Sequence, residues 1–163
     1  GLTEGESLVQ QVAADLRSWY QKHPWNLSRP YPGVPELLRN LARRGIARAV
    51  WTNKDQSIAR AVVSGLLPDA GFCDVAGTTD AWPIKPDPSR AASICEQCSV
   101  AASEVLFVGD SEVDVETAVN CGFTPVGVSW GYRRVSGLLA SGARQVISNP
   151  NEVFDRIHYR AIG

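Results

Sequence analysis

Short apolar segments that read as buried strands alternate along this chain with segments of helical period. That alternation narrows the possible folds more than any other feature. Residues 46–51 form an apolar run that stops at Thr52, residues 105–108 are a compact, strand-favouring run, and residues 125–128 and 145–148 are two more. Residues 72–76 are a weaker strand candidate. Helical patterns are predicted over 6–23, where Leu8, Val12, Leu16 and Trp19 or Tyr20 share a face, and from Pro35 to a stop at Gly45. Further helices are predicted over 55–67, 88–98, 112–120 and 151–158, the one over 112–120 closed by Gly122. The stretch 24–35 holds four prolines and one glycine and reads as a linker or hinge. Strands joined through helices pair in parallel by right-handed crossovers, so the expected fold is α/β, a doubly wound, Rossmann-like parallel sheet. Ligands of such sheets bind beyond the carboxyl ends of the strands, and Thr52 and Asp110 both fall there.

Bulk properties bound the function. A chain of 163 residues with 44% hydrophobic and 20% charged content suffices for one domain with a real core. Its 16 basic and 17 acidic residues leave a net charge of −1, so no global field favours nucleic acid or an anionic membrane, and neither is expected as a partner. No apolar run approaches bilayer length and no charged-then-apolar leader opens the chain, so a cytoplasmic protein is expected. There is no methionine, even at position 1, where Gly stands. The four cysteines, at 73, 95, 98 and 121, are expected as small buried thiols of a reducing compartment. His23 and His158 lack the spacing that would join Cys95 and Cys98 in a closed zinc site.

Three fragments carry residues suited to phosphoryl chemistry. Asp110 follows Gly109 at a strand end, and Asp114 lies four residues on at the start of a helix. Such a pair can present two carboxylates to one Mg²⁺, which takes one or two of them plus phosphate and water. Asp110 and Ser111 can equally cap the helix, with Glu112 and Asp114 favouring its N-terminal dipole. Lys85 sits in the proline-rich run Ile84-Lys85-Pro86-Asp87-Pro88, stiff enough to hold a cation against a phosphate or a carboxylate; it can also be an ordinary surface lysine. Thr52 can donate its hydroxyl to a phosphate oxygen, or serve only as a turn or cap residue.

The order of Thr52-Asn53-Lys54, then Lys85-Pro86-Asp87-Pro88, then Gly109-Asp110-Ser111-Glu112-Val113-Asp114 resembles motifs two, three and four of the haloacid dehalogenase-like hydrolases. Tyr31-Pro32-Gly33-Val34-Pro35-Glu36-Leu37-Leu38 and Gly127-Val128-Ser129-Trp130-Gly131-Tyr132 look like the phosphoglycolate phosphatase branch of that superfamily. The resemblance implies a Mg²⁺-dependent phosphatase that acts on a small phosphorylated metabolite through an aspartyl-phosphate. It implies catalytic roles for Thr52 and Lys85, substrate contacts from Thr52, Asn53 and Lys85, Mg²⁺ on Asp110, and support of the metal by Asp114. Residues 1–24 would be the remnant of a helical cap, and residues 25–163 an α/β core lacking its first strand.

The departure from the pattern is as informative. The family's first motif, Asp-x-Asp-Gly-Thr at the end of a central strand, supplies the nucleophile, and these 163 residues contain no such run. Gly77-Thr78-Thr79-Asp80 has similar letters in the wrong order and place. Negligible activity is therefore expected of this chain alone. The strands ending at Thr52 and Asp110 should pair directly, leave the sheet visibly split, or be bridged by a second chain or a missing N-terminal segment. Retention of Thr52, Lys85, Asp110 and Asp114 weighs toward truncation over long-standing loss. A non-catalytic interaction or regulatory protein that kept the fold is the alternative. A sugar-phosphate mutase or a dehalogenase is a further reading, the dehalogenase disfavoured by the intact Asp110/Asp114 motif.

Overall fold

In a computed structural model, which describes residues 4–26 and 28–157, five parallel strands lie in two separate sheets. Strand β1 (Ala49–Asp55) pairs with β2 (Asp74–Thr78), and β3 (Leu106–Gly109) with β4 (Thr124–Val128), which pairs in turn with β5 (Gln145–Ile147). The helices are α1 (Glu4–Lys22) and α2 (Val34–Arg43) before β1, and α3 (Gln56–Leu66), α4 (Ala91–Cys98), α5 (Glu112–Asn120) and α6 (Val135–Ala140) between the strands. The doubly wound parallel fold is present, and its sheet is split between β1 and β3.

The split leaves two open edges. Thr124 donates to the Val105 carbonyl, so by alternation Phe107 and Gly109 turn their polar groups to β4 while Leu106 and Val108 turn theirs away. Val108 stays 42% exposed, although it lies in a strand that reads as fully buried. Contact across the gap is made by side chains. The Trp51 and Phe107 rings meet edge to face at 6.0 Å, and Lys85 bridges the Trp51 carbonyl to Asp114.

Helices cover both faces of the larger sheet. Val126 and Val128 point to one side, where Leu37 and Leu41 of α2 and Val153 complete a cluster with Ile147. Gly127 and Val146 point to the other, against Leu138 of α6, which packs with Val115 of α5. The α6 helix was absent from the sequence reading: six residues are too few to display a period. The closing helix is a 3₁₀ segment, Pro150–Arg156, capped by Asn149, and His158 lies outside the described residues.

Strand β1 runs past Thr52 to Asp55. Trp51 pairs with Ala76 and Asp55 with Thr78, so Thr52, Asn53 and Lys54 stand opposite the single residue Gly77. This bulge turns the three residues out of the ladder at the end nearest the candidate site. Gly77 is required there, since a Cβ would fall 2.5 Å from the Gln56 Cα. Asp55 then caps α3, accepting from the Ser57 and Ile58 amides; the Ser57 hydroxyl bond is the main cause that holds its carboxyl below the ordinary value.

Helix α1 lies against α3, with Lys54 over the Tyr20 ring at 4.9 Å. Trp25 fills the space that Gly65 leaves open. Leu8, Val12, Leu16 and Trp19, the stripe predicted from period, remain between 45% and 65% exposed. No helix among the described residues is long and apolar enough to cross a membrane.

The cysteines correct the sequence reading. Cys73, just before β2, and Cys98, at the end of α4, form a disulfide; only Cys95 and Cys121 are free thiols. Cys98 shares helix α4 with Cys95, whereas its partner arrives from 25 residues away. Thiol usage therefore no longer argues for a reducing compartment. Burial pushes the Cys121 thiol from an ordinary 9.0 up to about 11, with Cys95 and Asp87 adding to the effect. The folded chain thus retains a proton that the unfolded chain releases from pH 9, and stability falls as pH rises from 9 toward 11. Denaturation midpoints across that window should decline less steeply for Cys121→Ala than for the parent; parallel slopes would remove Cys121 as the cause.

Candidate active site

The site forms where β1 and β3 end, and Lys85 is its centre. The loop after β2 carries Lys85 into the gap between the sheets, where the residue is only 8% exposed. A buried ammonium needs partners, and two are in place: the Trp51 carbonyl at 3.0 Å and Asp114 Oδ1 at 2.6 Å. Its remaining proton is available to a ligand. The Phe107 ring lies 5.6 Å from Nζ and adds an apolar, electron-rich wall.

Asn53 holds the backbone of that lysine. Its side-chain amide donates to the Lys85 carbonyl at 3.0 Å and accepts from the Lys85 N–H at 2.8 Å. From the other side Asn120 donates to the Pro86 carbonyl at 3.0 Å. Asp87 accepts from the Ser89 hydroxyl, which lowers its carboxyl below the usual value and stiffens the start of the segment leading into α4. Thr52 Oγ1 accepts from the Lys54 N–H at 3.2 Å, which leaves the hydroxyl proton free to donate outward.

The two carboxylates are held differently. Asp114 Oδ1 takes the ammonium, and Oδ2 accepts from the Asp110 and Ser111 amides and from the Ser111 hydroxyl at 2.7 Å. Ser111 Oγ in turn accepts from the Asp114 N–H, closing a reciprocal cap at the start of α5. Gly109 makes this approach possible, because a Cβ there would lie 2.3 Å from Asp114 Cβ. Asp110 Oδ2 accepts from the Tyr132 N–H at 2.9 Å, and among the described residues Oδ1 makes no hydrogen bond. The capping reading of this motif therefore holds at Ser111 and Asp114, while Asp110 keeps one carboxylate oxygen without a protein partner among the described residues.

Asn53, Lys85, Asp114 and Asp110 are thus joined by hydrogen bonds, with Asn53 and Asp114 directed at Lys85, and Thr52 stands between Trp51 and Asn53 in β1. Among the described residues no group of three or more His, Cys, Asp or Glu side chains surrounds a metal position. Mg²⁺ needs only one or two protein carboxylates, and Asp110 with its unengaged oxygen fits that limited role. Sequence reasoning missed Ser111 as the partner of Asp114, although Ser-x-x-Asp is a legible capping pattern. It also missed Asn120 and Tyr132, which reach the site from 34 and 22 residues away.

Comparison with known proteins identifies the family. A family model described as haloacid dehalogenase-like hydrolase matches residues 3–128. The chain is 33% identical over 132 residues to the phosphoglycolate phosphatase of Mannheimia succiniciproducens, covering 78% of this chain and 59% of that protein. It is 30% identical over 160 residues to the N-acetylmuramic acid 6-phosphate phosphatase of Pseudomonas aeruginosa, covering 95% and 69%. A crystal structure of a predicted phosphoglycolate phosphatase from Haemophilus somnus superposes with a TM-score of 0.84 at 27% identity, covering 96% of this chain and 69% of that one. The chain spans only 54–65% of the length of three phosphoglycolate phosphatases that it matches.

Proposed function

The chain belongs to the haloacid dehalogenase-like hydrolases, and from that premise we propose that its site serves Mg²⁺-dependent hydrolysis of a small phosphomonoester through an aspartyl-phosphate. The observation that carries this reading is the Lys85 ammonium, buried between the sheets with a proton to spare. A desolvated cation at the carboxyl ends of parallel strands is well suited to a phosphoryl group and to the carboxylate attacking it. In this reading Thr52 donates its hydroxyl to a phosphoryl oxygen, and Asn53 contacts the substrate while fixing the Lys85 backbone. Asp110 would hold Mg²⁺ through Oδ1, with Asp114 as its support. The bound cation would supply charge neutralisation at the phosphoryl oxygens.

The nucleophile is proposed to come from a strand that enters between β1 and β3. It would be carried by an N-terminal segment or a second chain, since no Asp-x-Asp-Gly-Thr run occurs in these residues. Helix α1 and the turn after it would be the cap remnant, and the rest a core lacking that strand. A cytoplasmic location is proposed on the phosphorylated substrate alone, since the Cys73–Cys98 disulfide does not favour one.

The test compares this chain with one extended by a strand bearing Asp-x-Asp-Gly-Thr, each assayed for Mg²⁺-dependent release of phosphate from p-nitrophenyl phosphate. This chain alone should not exceed the buffer rate, and the extended chain should turn over and lose activity on Asp110→Asn. Turnover by this chain alone, abolished by Asp110→Asn, would overturn the proposed inactivity. An inert extended chain would favour the non-catalytic reading.

A further inference from the structure

Asp110 is oriented by a segment that neither its own strand nor its own helix supplies. The Tyr132 N–H donates to Oδ2 at 2.9 Å. A Cβ on the neighbouring Gly131 would lie 2.1 Å from Asp110 Cβ and 2.4 Å from Oδ2, so no side chain can stand there with the carboxylate in place. Gly131 is not among the glycines with positive φ, so a left-handed backbone is not what requires glycine there. Glycine is required at this position for space, and the space is occupied by Asp110.

The residues that follow the turn meet the next acid. Arg133 lies 3.5 Å from Glu112, and a Cβ on Gly137 would fall 2.4 Å from the Glu112 carboxylate. The Tyr132 side chain is 93% exposed and takes no part in this packing, so the contribution of that residue is its amide.

We infer that the Gly131–Tyr132 turn is the positioning element for Asp110: it engages Oδ2 and thereby presents Oδ1 to the cation. This rests on the reading of Asp110 as the metal carboxylate. Gly131 touches no substrate in this scheme and acts through Asp110 alone. A carboxylate free to rotate would divide its population between rotamers and bind a cation more weakly, since only one rotamer presents the oxygen correctly.

Two NMR readouts on this chain test the inference without any turnover. Exchange protection of the Tyr132 amide reports the hydrogen bond, and Mn²⁺ broadening of resonances around Asp110 reports cation binding. Asp110→Ala and Gly131→Ala should each lower Tyr132 protection by about tenfold or more, consistent with loss of a hydrogen bond to a charged acceptor. Gly131→Ala and Tyr132→Pro should weaken Mn²⁺ binding about tenfold, while Tyr132→Ala, which keeps the N–H, should leave it within about twofold. Tyr132→Pro lies in an exposed turn and serves if Gly131→Ala fails to fold. Unchanged Tyr132 protection in Asp110→Ala would overturn the positioning role, as would unchanged Mn²⁺ binding in both Gly131→Ala and Tyr132→Pro. Asp110-dependent protection without any Mn²⁺ broadening would instead refute the metal reading, and with it the presentation of Oδ1, while the hydrogen bond stood.

Discussion

Replacing Asp114 by alanine should cost the fold about 3–5 kcal/mol, the loss expected when one partner of a buried ion pair is removed. The Lys85 and Asp114 side chains are 8% and 13% exposed, so solvent cannot take over from the missing carboxylate. Asp114 answers four donors: the Lys85 ammonium, two amides and the Ser111 hydroxyl. Truncation strands all of them in or near the gap between the sheets. The urea midpoint measures the loss, provided that the slope of the transition is unchanged. Lys85→Met combined with Asp114→Leu should be less damaging than Asp114→Ala, because the double variant leaves no uncompensated charge. A loss below about 1 kcal/mol for Asp114→Ala would class the pair with surface ion pairs and remove the case for Lys85 as a fixed cation.

Leu138→Ala should destabilise the chain by about 2–5 kcal/mol through the cavity that it opens. Leu138 is fully buried and packs against Val115, Ala143 and Val146 beneath β4. Its Cδ1 would stand only 3.0 Å from a Cβ on Gly127, so the fit depends on glycine in the facing strand. The neighbouring Leu139 is 51% exposed, and Leu139→Ala should change stability by less than about 0.5 kcal/mol. Thermal or urea unfolding of the two variants separates a packed α6 from a surface turn. Equal effects would mean that α6 does not seal the larger sheet.

The contrast between these leucines shows where sequence reading runs out. Leu138 and Leu139 are adjacent and chemically identical, and only the approach of β4 from one side tells them apart. The long elements were legible because their signals are local. Ile58, Val62 and Leu66 recur at helical spacing, Gly122 stops α5, and Asp55 caps α3 through atoms two and three residues away. The boundaries of β1 were not, because its bulge exists only relative to β2.

The site divides in the same way. Thr52, Lys85, Asp110 and Asp114 were visible because their residue types and order state a chemistry before any coordinates exist. Asn120 and the Gly131–Tyr132 turn carried no such signal, since each acts through a contact made across the fold. Cys73 and Cys98 paired against the local pattern for the same reason.

What the sequence by itself determined was the alternation of strand and helix, the polarity of the sheet, and the set of groups available for chemistry. Apolar period, capping and turn residues act over a few bonds and are written in neighbouring letters. Only the tertiary structure decided that the sheet is split, that Lys85 is buried across the split, and that the two acids of one motif have different partners. Those outcomes depend on which polar group meets which inside the gap, where an unpartnered charge is costly.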